Sequence, residues 1–311
     1  MSRIIVISNP RSKKNLKEPE LHSDLLEILG EWGRVECPDG FDAVNALAVT
    51  LFESKPDVVA INGGDGTVGV VMTALNKAWD DSPFPKILLL RGGTMNTVAR
   101  NLGLKGKPRD LLRQAVMRVQ SGDGFRTKTR WMLVVNGRLG FWFGNGVVSN
   151  FMKPYYSGST ASPLKGLYVL LRAVASAVIG GAYAKAISAP SECVLEIDGE
   201  QWPQRSWLAI GAGTLIDAGL GFRIFYRLRN EQGTAHVLGF ACSPFRMALT
   251  IPRMYPGFPL TRSDMMDSCG RDIRLIGKGP LHYMVDGDLL CAQDEIRIGV
   301  SRPIQLVVPR E

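Results

Sequence analysis

Three short apolar runs, RIIVIS (3–8), DVVAIN (57–62) and KILLL (86–90), alternate with stretches whose apolar residues recur at helical spacing. No other pattern restricts the fold of this chain so tightly. A strand that is apolar at nearly every position must be covered on both faces, and helices between such strands supply the cover. ELHSDLLEILGEW places Leu21, Leu25, Leu26, Ile28 and Leu29 on one helical stripe. FDAVNALAVTLFESK, TVGVVMTALNKAW, NTVARNLGL and PRDLLRQAVMRVQ read as further helices, the last with Pro108 near its start, and VEC adds a short strand. The first part of the chain is therefore expected to be an α/β domain, a parallel sheet with helices on both faces. Ligands bind such sheets at the carboxyl ends of the strands.

After Gly124 the pattern changes. TRWMLVVNGRLGFWFGNGVV holds an Asn-Gly hairpin signal between apolar runs. One helical block follows, from Leu164 to about Ala186, and then short segments broken by Gly and Asp turns. These predict a mostly antiparallel β-sandwich or barrel-like domain. The boundary is expected between Arg126 and Arg130, giving domains 1–128 and 129–311, with a final strand, RPIQLVVP, that can return to the first domain. Two similar hairpin turns, IDGE (197–200) and VDGD (285–288), are the one internal repeat that the sequence shows.

The run Asp57–Asn62 ends in Gly63-Gly64-Asp65-Gly66-Thr67 and leads into a helix expected to start at Thr67 or Val68. Glycines let a ligand approach main-chain N–H groups, and a helix N-terminus favours an anion such as phosphate. Asp65 would repel a bare phosphate, so it calls for Mg²⁺ between them, or for a hydroxyl proton to handle. A tight turn with Asp65 capping a helix is the plainer alternative. A dinucleotide loop is another: Gly64, Gly66 and Gly69 fit G-x-G-x-x-G, and Arg91 stands at the end of the next strand. Two more polar loops follow apolar strands. KILLLRGGTMNTVARNLGL offers Gly92, Gly93, Thr94 and Asn96; SNPRSKKN offers Asn9, Arg11, Ser12, Lys13 and Lys14. Three such loops at one sheet edge can encircle a nucleoside triphosphate, and no Walker A pattern is present.

The net charge of +8 suits an anionic partner: a nucleotide, a nucleic acid or an acidic membrane surface. Five scattered cysteines and three histidines argue against a disulfide framework or a zinc site. The N-terminus has no signal-peptide layout, so a cytoplasmic location is expected. GLYVLLRAVASAVIGGAYA (166–184) is long enough to span a bilayer, but Arg172 and the Gly180-Gly181 pair oppose it. A helix over an apolar pocket or a peripheral membrane contact suits it better.

The three loops together resemble the diacylglycerol kinase catalytic-domain family, which includes bacterial lipid kinases and sphingosine and ceramide kinases. NP-x-S matches Asn9–Ser12, GGDGT matches Gly63–Thr67, GT-x-N-x-x-AR matches Gly93–Arg100, and a late carboxylate-bearing turn matches Asp286-Gly287-Asp288. The resemblance implies ATP held by the α/β domain in a cleft, Mg²⁺, and transfer of the γ-phosphoryl group to a hydroxyl of a diacylglycerol- or sphingoid-type lipid. It implies nucleotide contacts from Asn9, Gly64, Asp65, Gly66, Thr67, Thr94 and Asn96, and Ser12, Lys13, Gly63 and Gly93 of the same loops are candidate contacts beside them. It also implies catalytic parts for Asp65 and for Asp288 as general base, with Glu200 of IDGE as the rival carboxylate. The second domain would then take the lipid, with Trp142, Phe143, Phe151, Met152, Tyr155 and Tyr156 as candidate lining and Arg223, Arg227, Arg229, Arg246 and Arg253 as a candidate membrane face.

Four positions depart from the family pattern. Val70 and Thr97 stand where acidic residues are frequent, Glu231-Gln232-Gly233 resembles an Asp-Asp-Gly metal segment, and the base is Asp, not Glu. The metal ligands are left unassigned. A nucleotide- or lipid-binding homologue with weak or no kinase activity, or an NAD(P)-related enzyme, stays open as the alternative. The expected partners are a lipid and, peripherally, the inner membrane surface. Nucleic acid is not expected, and a homodimer is compatible with this reading.

Overall fold

The computed structural model describes residues 3–309 except 81, 94–95, 157–167, 169–171, 173–175, 177–180, 182–186, 220 and 261. The chain divides into two compact units, Met1–Arg130 with Pro303–Glu311, and Trp131–Arg302.

The first unit runs β1 (Ile4–Ser8), α1 (Lys13–Lys17), α2 (Leu21–Leu29), β2 (Gly33–Glu36), α3 (Phe41–Ser54), β3 (Val58–Asn62), α4 (Asp65–Trp79), β4 (Lys86–Leu89), α5 (Thr97–Asn101), α6 (Pro108–Ser121) and β5 (Thr127–Arg130). The second unit holds β6 (Leu133–Val135), β7 (Arg138–Gly140), β8 (Trp142–Gly146), α7 (Val147–Tyr156), β9 (Ser191–Ile197), β10 (Glu200–Gln201), β11 (Ser206–Trp207), β12 (Ala209–Gly213) and β13 (Ala235–Phe240). It continues with α8 (Pro244–Met254), β14 (Met265–Gly270), β15 (Asp272–Gly277), β16 (Leu281–Val285), β17 (Asp288–Ala292) and β18 (Glu295–Val300). The last strand, β19 (Ile304–Val307), belongs to the first unit.

The first sheet has the order β2-β1-β3-β4-β19-β5. β1 pairs in parallel with β2 and β3, β3 with β4, and β4 with β19, while β5 runs antiparallel to β19. Every residue of β1 and β3 is buried, as strands covered on both faces must be. α3 and α4 meet through an edge-to-face contact of Phe52 and Trp79. Arg109 of α6 reaches Asp24 of α2 at 2.5 Å and Glu18 at 2.6 Å.

The second unit is a sandwich of two antiparallel sheets. One has the order β10-β9-β15-β18-β6-β7, with β11 beside β9; the other, read from its far edge, has the order β17-β16-β8-β12-β13-β14. Leu195, Ile273 and Ile298 from the one and Phe143, Ile210, Val237 and Tyr283 from the other share a single buried core. In chain order, β6, β7, β8, β9, β10 and β12 correspond one to one with β13 to β18. Exchanging each strand for its counterpart converts one sheet order into the other. The chain thus traces the same six-strand path twice, with four strands of each half in one sheet and two in the other. The repeat visible in the sequence as two turns extends through most of this unit, and the turns IDGE and VDGD occupy equivalent places in it. Helices interrupt the two halves differently: α7 follows β8 in the first, α8 follows β13 in the second.

Residues 166–184, read above as an apolar block, lie almost wholly outside the described residues. Among the described residues no helix is long and apolar enough to cross a membrane. Of the candidate lipid-lining aromatics, Trp142 and Phe143 are buried, and Phe143 belongs to the core between the two sheets.

Candidate functional site

β1, β3 and β4 are neighbours in a parallel sheet, so the loops that follow them emerge at one edge. Hydrogen bonds tie the first loop to the second. The N–H of Asn9 donates to Asn62 O at 3.0 Å, and its Nδ2 donates to Thr67 Oγ1 at 3.0 Å. Asn9 Oδ1 accepts from the N–H of Arg11, and Asn15 Nδ2 donates to Asn9 O at 2.6 Å. Beneath them, buried Asn62 donates to Ser8 Oγ at 3.0 Å and to Asn15 Oδ1 at 3.1 Å. The first and third loops are joined by Lys14 N–H donating to Gly92 O.

The glycines are explained first by the neighbouring loop. A Cβ on Gly93 would lie 2.3 Å from Gly64 Cα, and one on Gly92 would lie 2.5 Å from Asn62 Oδ1. A Cβ on Gly63 would strike the side chain of Thr67 at 2.5 Å. No side chain larger than hydrogen allows the second and third loops to approach so closely.

Asp65 opens α4, two residues before the helix start that the sequence suggests. Its carboxylate serves a different helix. Oδ2 accepts from the N–H of Thr97 at 3.0 Å, and Oδ1 from that of Val98 at 3.3 Å, which caps α5 in the third loop. The Thr97 hydroxyl adds a further bond, so Thr97, noted above as a departure from the family pattern, here gives Asp65 a donor. Although the residue keeps some exposed surface, its carboxyl group is enclosed enough that burial raises its pKa, against the pull of these donors. The negative charge that seemed out of place beside a phosphate is thereby occupied within the loop framework. Asn96, in the left-handed region at φ 47°, brackets Gly93 by accepting from its N–H and donating to its carbonyl.

What remains open at this edge suits an anion. The first-turn N–H groups of α4 have no intrahelical acceptor, and the helix adds partial positive charge. Lys14 is held below its usual pKa by burial and by the nearby Arg91 charge, and a bound anion would relieve that repulsion. Ser12 Oγ and Asn62 Oδ1 are buried without a partner among the described residues. Orphaned polar groups of this kind ask for a ligand or water. Asn9, Ser12, Gly63, Gly64, Gly93 and Asn96 lie in these three loops and Lys13, Gly66 and Thr67 in the first turns of the helices that follow, whereas Thr94 lies outside the described residues. Asn62 was not singled out from sequence, and Lys14 and Arg91 were named there for separate loops without being brought together. Asn62 reads there simply as the end of a strand, and its contacts span up to 54 residues.

In the second unit, Asp286 and Gly287 have φ of 50° and 98°, as a two-residue hairpin turn requires, and the turn joins β16 to β17. The Asp286 carboxylate accepts from the N–H groups of Phe141 and Trp142, where the chain crosses from one sheet to the other. Asp288 pairs with Arg138 and keeps about half its side chain exposed, at 51%. The turn lies at the end of the sandwich where β6 begins and β18 finishes, since Leu133 is paired with both Gly140 and Val300.

No group of three or more His, Cys, Asp or Glu side chains able to hold a metal occurs among the described residues. Both oxygens of Asp65 are engaged by α5. Glu231, in the segment that resembles a metal-binding one, faces Arg227 at 3.7 Å, and Arg227 donates to Asp267 at 2.8 Å. Tyr226 donates to the same carboxylate, and buried His236 beside it is pulled down to about 3, chiefly by burial. Arg227 is therefore no part of an open basic face. Among the described residues no carboxylate set here forms a protein-built Mg²⁺ site, and Glu231 and Asp267 carry their own cation, Arg227.

Residues 3–123 match the family model described as the diacylglycerol kinase catalytic domain. No curated protein sequence matches the chain. Among solved structures, a protein from Bacillus anthracis str. Sterne described as a "putative diacylglycerol kinase" is 14% identical, with a TM-score of 0.73 over 99% of this chain and 97% of that one. A second from the same organism, described as a diacylglycerol kinase, gives 0.67 at 13% identity with the same coverage. At such identity these structures establish the fold. The three loops at one sheet edge, read above as resembling this family, all fall within the matched segment: residues 3–123 match the diacylglycerol kinase catalytic domain, and the whole chain shares its two-part fold with these bacterial structures.

Proposed function

We propose that the chain is an ATP-dependent lipid kinase that moves the γ-phosphoryl group of ATP to a lipid hydroxyl. The close approach of Gly64 and Gly93, which joins the loops at one strand edge, carries this reading, together with the family match over the same residues. Phosphoryl transfer asks mainly for positioning and charge neutralisation. The α4 N-terminus, Lys14, Arg91 and Ser12 bind the polyphosphate. Asn9, Asn62 and Asn96 hold the loops. Asp65 acts as a positioning residue that fixes α5 and the third loop against the second. Mg²⁺ would arrive with the nucleotide, liganded by phosphate oxygens, as this ion commonly is. Asp288 takes the proton of the lipid hydroxyl.

The test is incubation of the purified chain with radiolabelled ATP and Mg²⁺ against diacylglycerol, sphingosine, ceramide and phosphatidylglycerol. A labelled phospholipid from one of them is the expected result. Nucleotide binding without product across this panel would overturn the proposal in favour of a binding protein, and preference for NADP(H) over ATP would turn it toward a dinucleotide enzyme. In the same assay Asp65→Asn should lower kcat/KM at least about tenfold, an effect of ~1.4 kcal/mol, with an unchanged circular dichroism spectrum. Wild-type kinetics in that variant would remove Asp65 from the mechanism.

A further inference from the structure

The segment from Ser243 to Ser263, which contains α8, has no Asp, Glu or Lys, and carries Arg246, Arg253 and Arg262. α8 begins at Ser243, whose hydroxyl oxygen accepts from the N–H of Arg246, with Pro244 at its first position. Only Thr250 and Met254 of this helix are buried. Phe245 and Leu249, one turn apart on the same face, are 44% and 58% exposed, and just beyond the helix Tyr255 and Phe258 are 53% and 57% exposed. An ordinary surface helix buries its large apolar residues and shows polar ones. This one buries Met254 but leaves Phe245 and Leu249 exposed beside its arginines.

The charges around the patch are one-sided. Asp264 answers Arg246 and Arg262 together, at 3.0 Å each. Among the described residues Arg253 has no ion pair and donates to the carbonyl of Pro259. Arg223 is exposed beside the patch, its N–H bonded to Tyr255 O, and Phe222 packs edge-on against the Tyr255 ring. Aromatic and aliphatic side chains flanked by guanidinium groups that outnumber the acid, Asp264, paired with two of them fit the boundary between acyl chains and anionic headgroups. An acidic peptide would satisfy the arginines and leave four large apolar side chains to find a core of their own.

α8 also has a definite place. Ala209 pairs with Phe240, the last residue of β13, and with Gly146, the last residue of β8. α8 and α7 therefore leave this sheet at the same end. The Asp286–Asp288 turn is at the other end, beside Trp142, a strand length of five residues away.

We infer that α8 and the residues after it, through Phe258, form the surface by which this protein docks on an anionic bilayer. The inference rests on and deepens the lipid-kinase reading by naming where the enzyme would meet its insoluble substrate, yet it stands or falls on vesicle binding, which is measured apart from turnover. Sedimentation with vesicles of phosphatidylcholine, or of phosphatidylcholine mixed with phosphatidylglycerol, should show the wild-type chain on the mixed vesicles at least about tenfold more tightly, less so as salt rises. Leu249→Glu with Phe258→Glu should lose at least about tenfold in that affinity, and Arg253→Gln about fivefold. Turnover of a detergent-dispersed lipid should not change in either variant. Equal vesicle affinity in the Glu variant, or no preference for the anionic lipid, would overturn the inference. So would a fall from dimer to monomer in the Glu variant, which would make a second copy the occupant. Vesicle binding by a chain that phosphorylates no lipid would leave the docking surface standing and reject the kinase reading instead.

Discussion

Val285-Asp286-Gly287-Asp288 and Ile197-Asp198-Gly199-Glu200 occupy equivalent places in a duplicated fold, and comparing them separates what the turn needs from what it does not. Both first aspartates lie in the left-handed region, at φ 50° and 51°, followed by glycines at 98° and 85°. Both reach across to cap the point where the chain changes sheets. Asp286 accepts from Phe141 and Trp142 N–H; Asp198 accepts from Arg271 and Asp272 N–H. Each needs a glycine opposite, because a Cβ on Gly140 would lie 2.3 Å from Val285 Cγ1 and one on Gly270 would lie 2.3 Å from Ile197 Cγ2. Asp-Gly in these motifs is thus explained by folding. The fourth residue is the one at which the halves part. Asp288 pairs with Arg138, while Ser268 holds the equivalent place opposite Glu200, which is exposed and makes no ion pair among the described residues. On the proposed reading, Asp288 is the carboxylate of the two turns that takes the proton, and Glu200 is not.

The sharpest way to break the comparison is to remove that carboxylate. Asp288→Asn should lower kcat by about 10²–10⁴, the span expected for a general base. Its stability should change by less than about 1 kcal/mol, since the Asp288 carboxylate keeps about half its surface in water. Full activity in this variant would return the VDGD turn to a purely structural part. Next in size, Asp286→Ala and Asp198→Ala should each cost about 1–3 kcal/mol in denaturant unfolding, because each leaves backbone N–H groups uncapped. Similar losses would support the structural equivalence of the turns, and a neutral Asp198→Ala would refute it. Gly140→Ala and Gly270→Ala should then cost roughly 1–2 kcal/mol apiece through overpacking. Smallest of all, Glu200→Gln should change kcat/KM by less than about twofold, under 0.5 kcal/mol. A large drop there would exchange the roles of the two carboxylates.

The comparison also shows which kinds of information a sequence carries openly. Alternating apolar runs and helical stripes disclosed the parallel sheet because each is local, and the glycine loops stood out because they end those runs. The six-strand repeat was hidden because its halves share a path and two turns but little else, and helices interrupt them at different places. Asp65 could be located but not its partners, since Thr97 and Val98 are more than thirty residues away and the contact depends on two loops meeting. Asn62 was overlooked for a similar reason. α8 left a legible mark, Ser243-Pro244 at its start, but Pro252 inside it and prolines beyond disguise it as loop.

Everything assigned to the first unit depends on Gly64 and Gly93 bringing two loops together around a triphosphate. Calorimetric titration of a non-hydrolysable ATP analogue into the wild-type chain and into Gly93→Ala tests this most directly. Saturable binding by the wild type, weakened at least about tenfold in the folded variant, is the expected result. Equal affinity in the two proteins, or no binding by the wild type, would contradict it.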